Sequence, residues 1–201
     1  MGYILSALIG YLLGSSSMSY YISKIKKIDI KGQGSKNYGA SNTVMQAGLK
    51  AGVLVFVHDF AKAVISVLLA RWLFPEIECA GAIAGCASVI GHIFPFYLKF
   101  DGGKGFAAFI GMSIALYPLF GLIILIASAV FAMLVDYIVA ATFSFIIAIP
   151  ILALVNGAYV EAAIIGVTAL IIFVKHHENI KNLITRNGKE PHIWATIKKK
   201  K

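Results

Sequence analysis

Most of this chain consists of apolar stretches long enough to cross a lipid bilayer, and short polar breaks separate them. Because one helical crossing takes about 20 residues, about six or seven crossings use up the chain. Hydrophobic residues make up 59% and charged residues only 13% of the sequence, which is too apolar for a soluble domain of 201 residues. We therefore predict an all-α integral membrane protein, a compact bundle of about seven transmembrane helices in a single domain over residues 1–201. The predicted spans are 2–21, 51–74, 79–98, 106–117, 119–135, 137–156 and 160–174.

Basic residues are concentrated on one side of these predicted spans. Loop 23–50 holds six, connection 99–104 holds two and the C-terminal segment from Lys175 holds eight of the chain's 18 basic residues. With seven helices, the positive-inside rule places all three regions in the cytoplasm and the N-terminus outside. The fourth and fifth stretches, joined by Tyr117-Pro118, could instead form one kinked or re-entrant unit, which leaves about five or six full crossings. An even number of crossings would place loop 23–50 and the C-terminal segment on opposite sides of the membrane. The distribution of basic residues therefore favours an odd number of crossings.

Three polar segments on the predicted cytoplasmic side carry residues suited to bind anions. The first is Gly34-Ser35-Lys36-Asn37-Tyr38-Gly39-Ala40-Ser41-Asn42, which is conformationally permissive and dense in hydrogen-bond donors. Residues 48–52 then open the second span, where an anion would gain from the helix dipole. A flexible cytoplasmic loop with a helix cap explains the same residue types equally well.

The second segment, Phe100-Asp101-Gly102-Gly103-Lys104-Gly105, opens the fourth predicted span. Three glycines and a lysine at a helix start make a short phosphate-cradling loop in chemical terms. The spacing is not that of a Walker A motif, so nucleotide hydrolysis is not predicted. A tight turn with an interfacial lysine is the structural alternative.

The third segment, Lys175-His176-His177-Glu178-Asn179-Ile180, lies where the last span meets the cytoplasm, and Gly188-Lys189-Glu190 follows it. The spacing of His176 and Asn179 places them on one helix face. Adjacent histidines point about 100° apart on a helix. Neither HExxH nor CxxC accompanies them, so no metal site is predicted.

Ionisable residues also occur inside the predicted spans. Asp59 and Lys62 are three residues apart on one helix face. Because charges at membrane depth are costly unless they are paired, we predict an ion pair between them, with proton transfer as the alternative. His92, near the end of the third span, is expected to be an interfacial hydrogen-bonding residue rather than a ligand.

In this order, the segments resemble the three motifs of the bacterial acyl-phosphate-dependent glycerol-3-phosphate acyltransferases, the PlsY family. The family's first motif, Asp-φ-Arg-x-x-Gly-Ser-x-Asn-x-Gly-Ala-Thr-Asn, is matched by residues 29–42, and its Gly-x-Lys-x-Gly continuation by 48–52. The second, Gly-Gly-Lys-Gly, is matched by 102–105. The third, Arg-His-x-x-Asn-Ile with a later Gly-x-Glu, is matched by 175–180 and 188–190. The family's Asp-x-x-Lys is matched by Asp59 and Lys62, so the resemblance covers nearly the whole chain.

The resemblance implies transfer of a fatty acyl group from acyl phosphate to the 1-hydroxyl of glycerol 3-phosphate, which gives lysophosphatidic acid for phospholipid biosynthesis. It implies a multi-pass enzyme of the bacterial inner (plasma) membrane whose active site faces the cytoplasm. Such an enzyme uses no cofactor or metal, binds no nucleic acid and is expected to act as a monomer among membrane lipids.

The resemblance also implies roles for individual residues. Lys104 would neutralise charge on the leaving phosphate, and His176, with Asn179 and Glu190, would position the acceptor. His176 as a general base is a hypothesis. Ser35 is expected to contact phosphate through its hydroxyl, with a nucleophilic role as the alternative. The remaining residues expected to bind substrate are Gly34, Lys36, Asn37, Gly39, Asn42, Gly102, Gly103 and Gly105.

Four residues depart from the family pattern. Met45 stands where the family has an arginine, and Asp101 precedes the glycines where a basic residue is common. Asp136 and Val139 replace a basic residue and a hydroxyl after the fifth span. Each change removes a positive charge or a donor from the predicted phosphate side.

Two other functions fit parts of the sequence. A divergent paralogue with another acceptor would explain the departures from the family pattern. A small non-enzymatic transporter or lipid-binding membrane protein would explain the spans and the intramembrane charges. However, no evident inverted repeat relates the two halves. The basic tail at 198–201 is expected to contact anionic lipid.

Overall fold

Ten α-helices make up most of the described chain. The computed structural model describes residues 1–185, so Glu190 and the basic tail at 198–201 lie outside the described residues. A short 3-10 turn, Phe96–Leu98, follows the fifth helix. The helices are α1 (Gly2–Ser15), α2 (Met18–Lys26), α3 (Ala40–Ala47), α4 (Leu49–Leu73), α5 (Ala80–Ile93), α6 (Phe106–Leu116), α7 (Pro118–Val135), α8 (Ile138–Val155), α9 (Tyr159–Lys175) and α10 (His177–Thr185).

From the second span onwards, helices coincide with the predicted apolar stretches, and the predicted breaks fall between them. Pro118 begins α7, and Asp136 ends it with a left-handed backbone (φ 63°). Gly157 (φ 76°) lies between α8 and α9.

Within residues 1–185, four segments have the length and apolar composition of a membrane span: α4, the stretch Ala80–Leu98 (which includes α5), α7 and α8. The 11-residue α6 is only about 16 Å long at 1.5 Å per residue. That is shorter than a hydrocarbon core of about 30 Å. The count of seven crossings therefore stays a prediction.

The first predicted span, 2–21, is wrong as one continuous helix. It is divided at Ser16 and Ser17 into α1 and α2. The Ser17 side chain accepts the N–H of Tyr20 (3.3 Å), which is the hydrogen bond of a helix N-cap. The carbonyl of Ser16, which would bond internally in a continuous helix, instead accepts a hydrogen bond from Lys62 Nζ (2.7 Å). A capping serine and a distant cation together stabilise the break.

A second correction concerns loop 23–50, which contains a helix of its own. α3 begins directly after Gly39, so Asn42 is a helical residue rather than part of a loop. Gly48 ends α3 with φ 88°, a conformation that glycine adopts without steric cost, and α4 follows at once. The helix was hidden because Ser, Asn and Thr have low helix propensity.

The chain divides into two compact units, and the first, Met1–Leu116, contains α1 to α6. Within it α4 packs against α1, α3, α5 and α6. α1 and α5 approach each other closely through small residues. A Cβ at Gly10 would overlap the carbonyl of Ala84, and one at Gly14 would overlap the carbonyl of Ser88. The spacing of four residues and the direct backbone contact are typical of helix pairs packed in membranes.

We expect Gly14→Ala to destabilise the first unit by about 1–3 kcal/mol, because the added Cβ overlaps backbone that cannot rotate away. Gly166→Ala in α9 is the matched control, since nothing lies within 4 Å of a Cβ there and alanine favours a helix. Thermal unfolding in one detergent should show a lower midpoint for Gly14→Ala and an unchanged or higher midpoint for Gly166→Ala. Equal midpoints for both variants would contradict the close approach.

The second unit runs from Tyr117 to the end of the chain, and its described part contains α7 to α10. Within it α8 packs against both α7 and α9. The Tyr117 hydroxyl donates a hydrogen bond to the Glu161 carboxylate (2.5 Å), which links the start of α7 to the start of α9. A single domain over residues 1–201 stays a prediction.

Candidate active site

Asn42 fixes the conformation of the first glycine-rich segment. Its side chain is completely buried. Its Oδ1 accepts the N–H of Ser35 (3.0 Å), and its Nδ2 donates to the carbonyls of Ile30 (2.7 Å) and Asn37 (2.9 Å). These bonds occupy both hydrogens of the amide, so Asn42 shapes the loop.

Asn37 closes the next turn of the same loop. Its Oδ1 accepts the N–H of Gly39 (2.9 Å), as in an Asx turn, and its Nδ2 donates to the carbonyl (2.9 Å) and Oγ (3.1 Å) of Ser35. Because the Ser35 Oγ accepts this bond, its own hydrogen points elsewhere, and the exposed hydroxyl is a donor that the loop can offer to a ligand. Lys36, between the two, is exposed and has a left-handed backbone (φ 52°).

Gly34 lies close to side chains of α3. It has φ 59°, and a Cβ there would overlap Asn42 Oδ1. The same Cβ would lie 2.8 Å from Gln46 Nε2 and 3.3 Å from Met45 Cε. Position 45 therefore borders the loop, as the family's arginine at this position would. Gln46, which the sequence interpretation missed, supplies an amide at the same place.

Two contacts join the first and second glycine-rich segments within the first unit. The N–H of Tyr38 donates to the carbonyl of Gly102 (3.3 Å), and Lys31 Nζ forms an ion pair with the Asp101 carboxylate (2.6 Å). Lys31 also lies over the Tyr38 ring, 5.7 Å from its centroid. Burial raises the pKa of the Tyr38 hydroxyl, so the phenol stays protonated. The unusual Asp101 is thus paired locally, and the two motifs form one surface.

The amides of Gly102 and Gly103 cap the end of α5. The N–H of Gly102 donates to the carbonyl of Ile93 (3.0 Å), and the N–H of Gly103 donates to the carbonyl of His92 (3.1 Å). Both carbonyls belong to the last turn of α5, where a helix has no internal donors for them. These two amides therefore support the loop, and their hydrogens are already bonded within the protein.

Lys104 and the first turn of α6 follow these glycines directly. Lys104 is half-buried, and Gly105 (φ 93°) turns the chain into α6. The N–H of Phe109 donates to the carbonyl of Gly105 (2.9 Å), so the amides between them precede the first internal bond of the helix. The positive end of the helix dipole and an adjacent ammonium group favour an anion here.

A buried cluster of charged side chains borders the glycine loop. Lys62 is 5% exposed and Asp59 is 2% exposed. Lys62 Nζ donates to Asp59 Oδ1 (2.8 Å), to the Ser16 carbonyl (2.7 Å) and to His92 Nδ1 (3.0 Å). The predicted Asp59–Lys62 ion pair is confirmed. His92 forms a hydrogen bond as expected and is a buried member of this cluster, and its place at the membrane interface stays a prediction.

The chain resembles known proteins in both sequence and fold. The sequence profile of the family described as glycerol-3-phosphate acyltransferase matches residues 4–186. The chain belongs to the glycerol-3-phosphate acyltransferase family. A relative of that name from Coxiella burnetii is 34% identical over 194 residues, which cover 96% of this chain and 99% of the relative. One from Pseudothermotoga lettingae is 34% identical over 205 residues, which cover 100% of both chains.

Two crystal structures of PlsY, described as an integral membrane glycerol 3-phosphate acyltransferase, have the same fold. The glycerol 3-phosphate form superposes with a TM-score of 0.87 and 32% identity over 96% of each chain. The lysophosphatidic acid form gives a TM-score of 0.84 and 32% identity over 96% of this chain and 95% of that one. The all-helical architecture is therefore that of an integral membrane acyltransferase.

The third motif of this acyltransferase lies in the second unit, between α9 and α10. His176 is 5% exposed, and its Nδ1 lies 2.8 Å from the carbonyl of Ile172. A carbonyl can only accept, so Nδ1 carries a proton. The ring of Phe143 contacts the imidazole edge to face, with 6.0 Å between centroids.

The other residues of the third motif occupy α10. Asn179 lies in the first turn of the helix and is partly buried. His177 is exposed and contacts Glu178 (3.2 Å). Across residues 1–185, no group of three His, Cys, Asp or Glu side chains is arranged to hold a metal ion.

Proposed function

We propose that this protein transfers a fatty acyl group from acyl phosphate to the 1-hydroxyl of glycerol 3-phosphate, and releases lysophosphatidic acid and inorganic phosphate. Membership of the family and the likeness to PlsY in its glycerol 3-phosphate and lysophosphatidic acid forms support this reaction. The structural observation that carries the proposal is the joined surface of the two glycine-rich segments. That surface brings together donors suited to a phosphoryl group. The negative charge of Asp101 on the same surface is neutralised by its ion pair with Lys31.

The reaction needs charge stabilisation more than covalent chemistry. The hydroxyl oxygen of the acceptor forms a bond to the acyl carbon, and the bond from that carbon to the phosphate oxygen breaks. The phosphate leaves with the electron pair, so donors placed around it lower the barrier. Acyl phosphate is already activated, and correct positioning of the two substrates supplies much of the remaining rate.

We assign the leaving phosphate to Lys104, the Ser35 hydroxyl and the first amides of α6. Ser35 acts as a phosphate contact rather than a nucleophile, because the Nδ2 of Asn37 donates to its Oγ and withdraws electron density from it. Asn37 and Asn42 hold the loop in shape. Gly34 and Gly39 allow its turns, and Lys36 adds positive charge beside it. Gly102, Gly103 and Gly105 position the backbone that leads into α6.

His176 is assigned to the acceptor side of the reaction. With its proton on Nδ1, the neutral imidazole can take the proton of the attacking hydroxyl at Nε2. Asn179 and Glu190 are assigned to bind the acceptor. We also propose that the donor is acyl phosphate rather than an acyl thioester, because the donors described above suit a phosphate leaving group.

The proposed orientation of the chain in the membrane rests on the distribution of its basic residues. Of the 18 basic residues, 16 lie in the three regions that seven crossings would place on one side of the membrane. We propose that this side faces the cytoplasm of a bacterial cell, with the chain in the inner membrane, the N-terminus outside and a monomer as the active form.

The reaction is tested with purified protein, acyl phosphate and glycerol 3-phosphate, with acyl-CoA as the control donor. We expect lysophosphatidic acid, detected by mass spectrometry, from acyl phosphate and not from acyl-CoA. Lack of product from both donors would contradict the proposed function, and product only with another alcohol would identify a changed acceptor. Near wild-type activity of His176→Ala at every pH would remove this histidine from the mechanism.

A further inference from the structure

We propose that His92 is a further substrate-binding residue of this acyltransferase, and that its Nε2–H donates a hydrogen bond to the phosphoryl group held at the start of α6. The inference rests on the proposed function for the identity of that phosphoryl group. His92 lies outside the three motifs, ten positions before Gly102, at the end of an apolar helix.

The ring of His92 faces the glycine loop with its Nε2 edge. The residue is 6% exposed. A Cβ at Gly103 would overlap Nε2 and would lie 2.7 Å from Cε1, so Gly103 must be a glycine for the imidazole to fit. Within residues 1–185 the polar contacts of this ring, to Lys62 and Asp59, are all made by Nδ1. Its Nε2 is therefore a polar atom of a buried side chain that has no partner in this part of the chain.

The surrounding hydrogen bonds decide which ring nitrogen carries the proton. The ammonium group of Lys62 has three hydrogens, and three acceptors surround it: the Ser16 carbonyl, Asp59 Oδ1 and His92 Nδ1. Nδ1 also lies 3.2 Å from Asp59 Oδ1, but that oxygen already accepts a hydrogen bond from Lys62, and all three ammonium hydrogens are used only if Nδ1 accepts. A proton on Nδ1 would instead face a Lys62 N–H and leave it without an acceptor. The ring proton is thus assigned to Nε2, which makes the atom next to Gly103 a donor.

A donor at this position calls for an acceptor, and a phosphoryl oxygen is the acceptor that fits. The neighbouring groups, Lys104 and the first amides of α6, are also donors and favour an anion. With Met45 in place of the family's arginine, the phosphate side has lost a bidentate donor. The Nε2–H of His92 supplies one donor to the same side.

Two substitutions separate the nitrogens of the ring. In His92→Asn the side-chain oxygen replaces Nδ1 as an acceptor for Lys62, but no donor reaches Gly103. In His92→Gln the amide reaches the position of Nε2 and keeps a donor there. His58→Asn is the matched control, since His58 contacts Ser16 Oγ (3.1 Å) in the same cluster.

Isothermal titration calorimetry of the detergent-purified protein with inorganic phosphate measures binding without turnover. We expect His92→Asn to raise the Kd for phosphate about tenfold or more, as for loss of one hydrogen bond to a charged group. His92→Gln should retain most of the affinity, and His58→Asn should match the wild type. Thermal unfolding of His92→Asn should remain close to that of the wild type because the acceptor for Lys62 is kept.

An unchanged Kd in His92→Asn would overturn the inference. An equal loss of affinity in His92→Asn and His92→Gln together with lowered unfolding midpoints would also overturn it, since His92 would then have only a structural role. In the steady state, a raised KM for acyl phosphate assigns His92 to the donor, and a raised KM for glycerol 3-phosphate assigns it to the acceptor. If the wild type binds phosphate through His92 but forms no lysophosphatidic acid, the proposed function fails and this inference stands.

Discussion

Lys62→Met is expected to destabilise the protein by about 3–5 kcal/mol, because it leaves the carboxylate of Asp59 buried without its cation. Asp59 is 2% exposed, so water does not replace the lost ammonium group. The substitution also removes the donor that satisfies the Ser16 carbonyl at the break between α1 and α2. Thermal unfolding midpoints in a single detergent measure the effect.

Two variants show whether the buried charge is the cause. Lys62→Met combined with Asp59→Leu removes both charges and should recover much of the lost stability. Lys50→Met, at an exposed position at the start of α4, should change stability by less than about 0.5 kcal/mol. If Lys62→Met unfolds at the same temperature as Lys50→Met, the ammonium group does not stabilise a buried carboxylate.

Lys104→Met is expected to lower kcat about 100- to 1,000-fold, which is the usual loss when one donor to a developing negative charge is removed. The residue is half-buried beside the first turn of α6. At that position its ammonium group and the positive end of the helix dipole would both stabilise the charge of a leaving phosphate. The fold should survive, because methionine preserves the aliphatic part of the side chain. Initial rates of lysophosphatidic acid formation and the unfolding midpoint together test both statements.

Lys99→Met is the control for net charge. Lys99 is exposed, has a left-handed backbone (φ 55°) and lies in the same connection between α5 and α6. Its loss should change the rate by no more than about threefold, because an exposed charge is screened within about 10 Å. Equal losses of rate in Lys99→Met and Lys104→Met would show that the net positive charge of the surface, rather than Lys104 itself, accelerates the reaction. Full activity of Lys104→Met would exclude its assigned role as a donor to the leaving phosphate.

The positions of most helices could be predicted from the sequence because long apolar runs end at residues with a strong local signal. Pro118, Asp136 and Gly157 each mark a boundary through backbone geometry that depends on that residue alone. The division of the first predicted span could not be found in this way. Its capping serine is local, but the Lys62 ammonium that satisfies the Ser16 carbonyl comes from a residue 46 positions away.

The segments of the candidate site were also predictable, but the use of each donor was not. Asn37, Asn42, Gly102 and Gly103 were expected to hold phosphate, yet their amide groups form hydrogen bonds within the protein. A sequence shows how many donors a segment has and not which of them are already bonded.

The sequence predicts a hydrogen bond for His92 but not the proposed substrate-binding role, because a single histidine at the end of an apolar stretch has no pattern around it. The proposed role rests on contacts with residues distant in the chain, Lys62 and Gly103. The ion pair of Lys31 with Asp101 was hidden for the same reason, since 70 residues separate the partners. Such pairings depend on how the helices pack.

The glycines of the second motif serve close contact rather than freedom of movement. Gly102 and Gly103 are bonded to the end of α5, and the imidazole that fills the space beside Gly103 is itself held by a cation from α4. The conformation of the loop therefore depends on two helices, α4 and α5, that are not part of the motif. A short peptide copying residues 101–106 would have neither support, so the proposed anion site cannot be transplanted as a linear sequence.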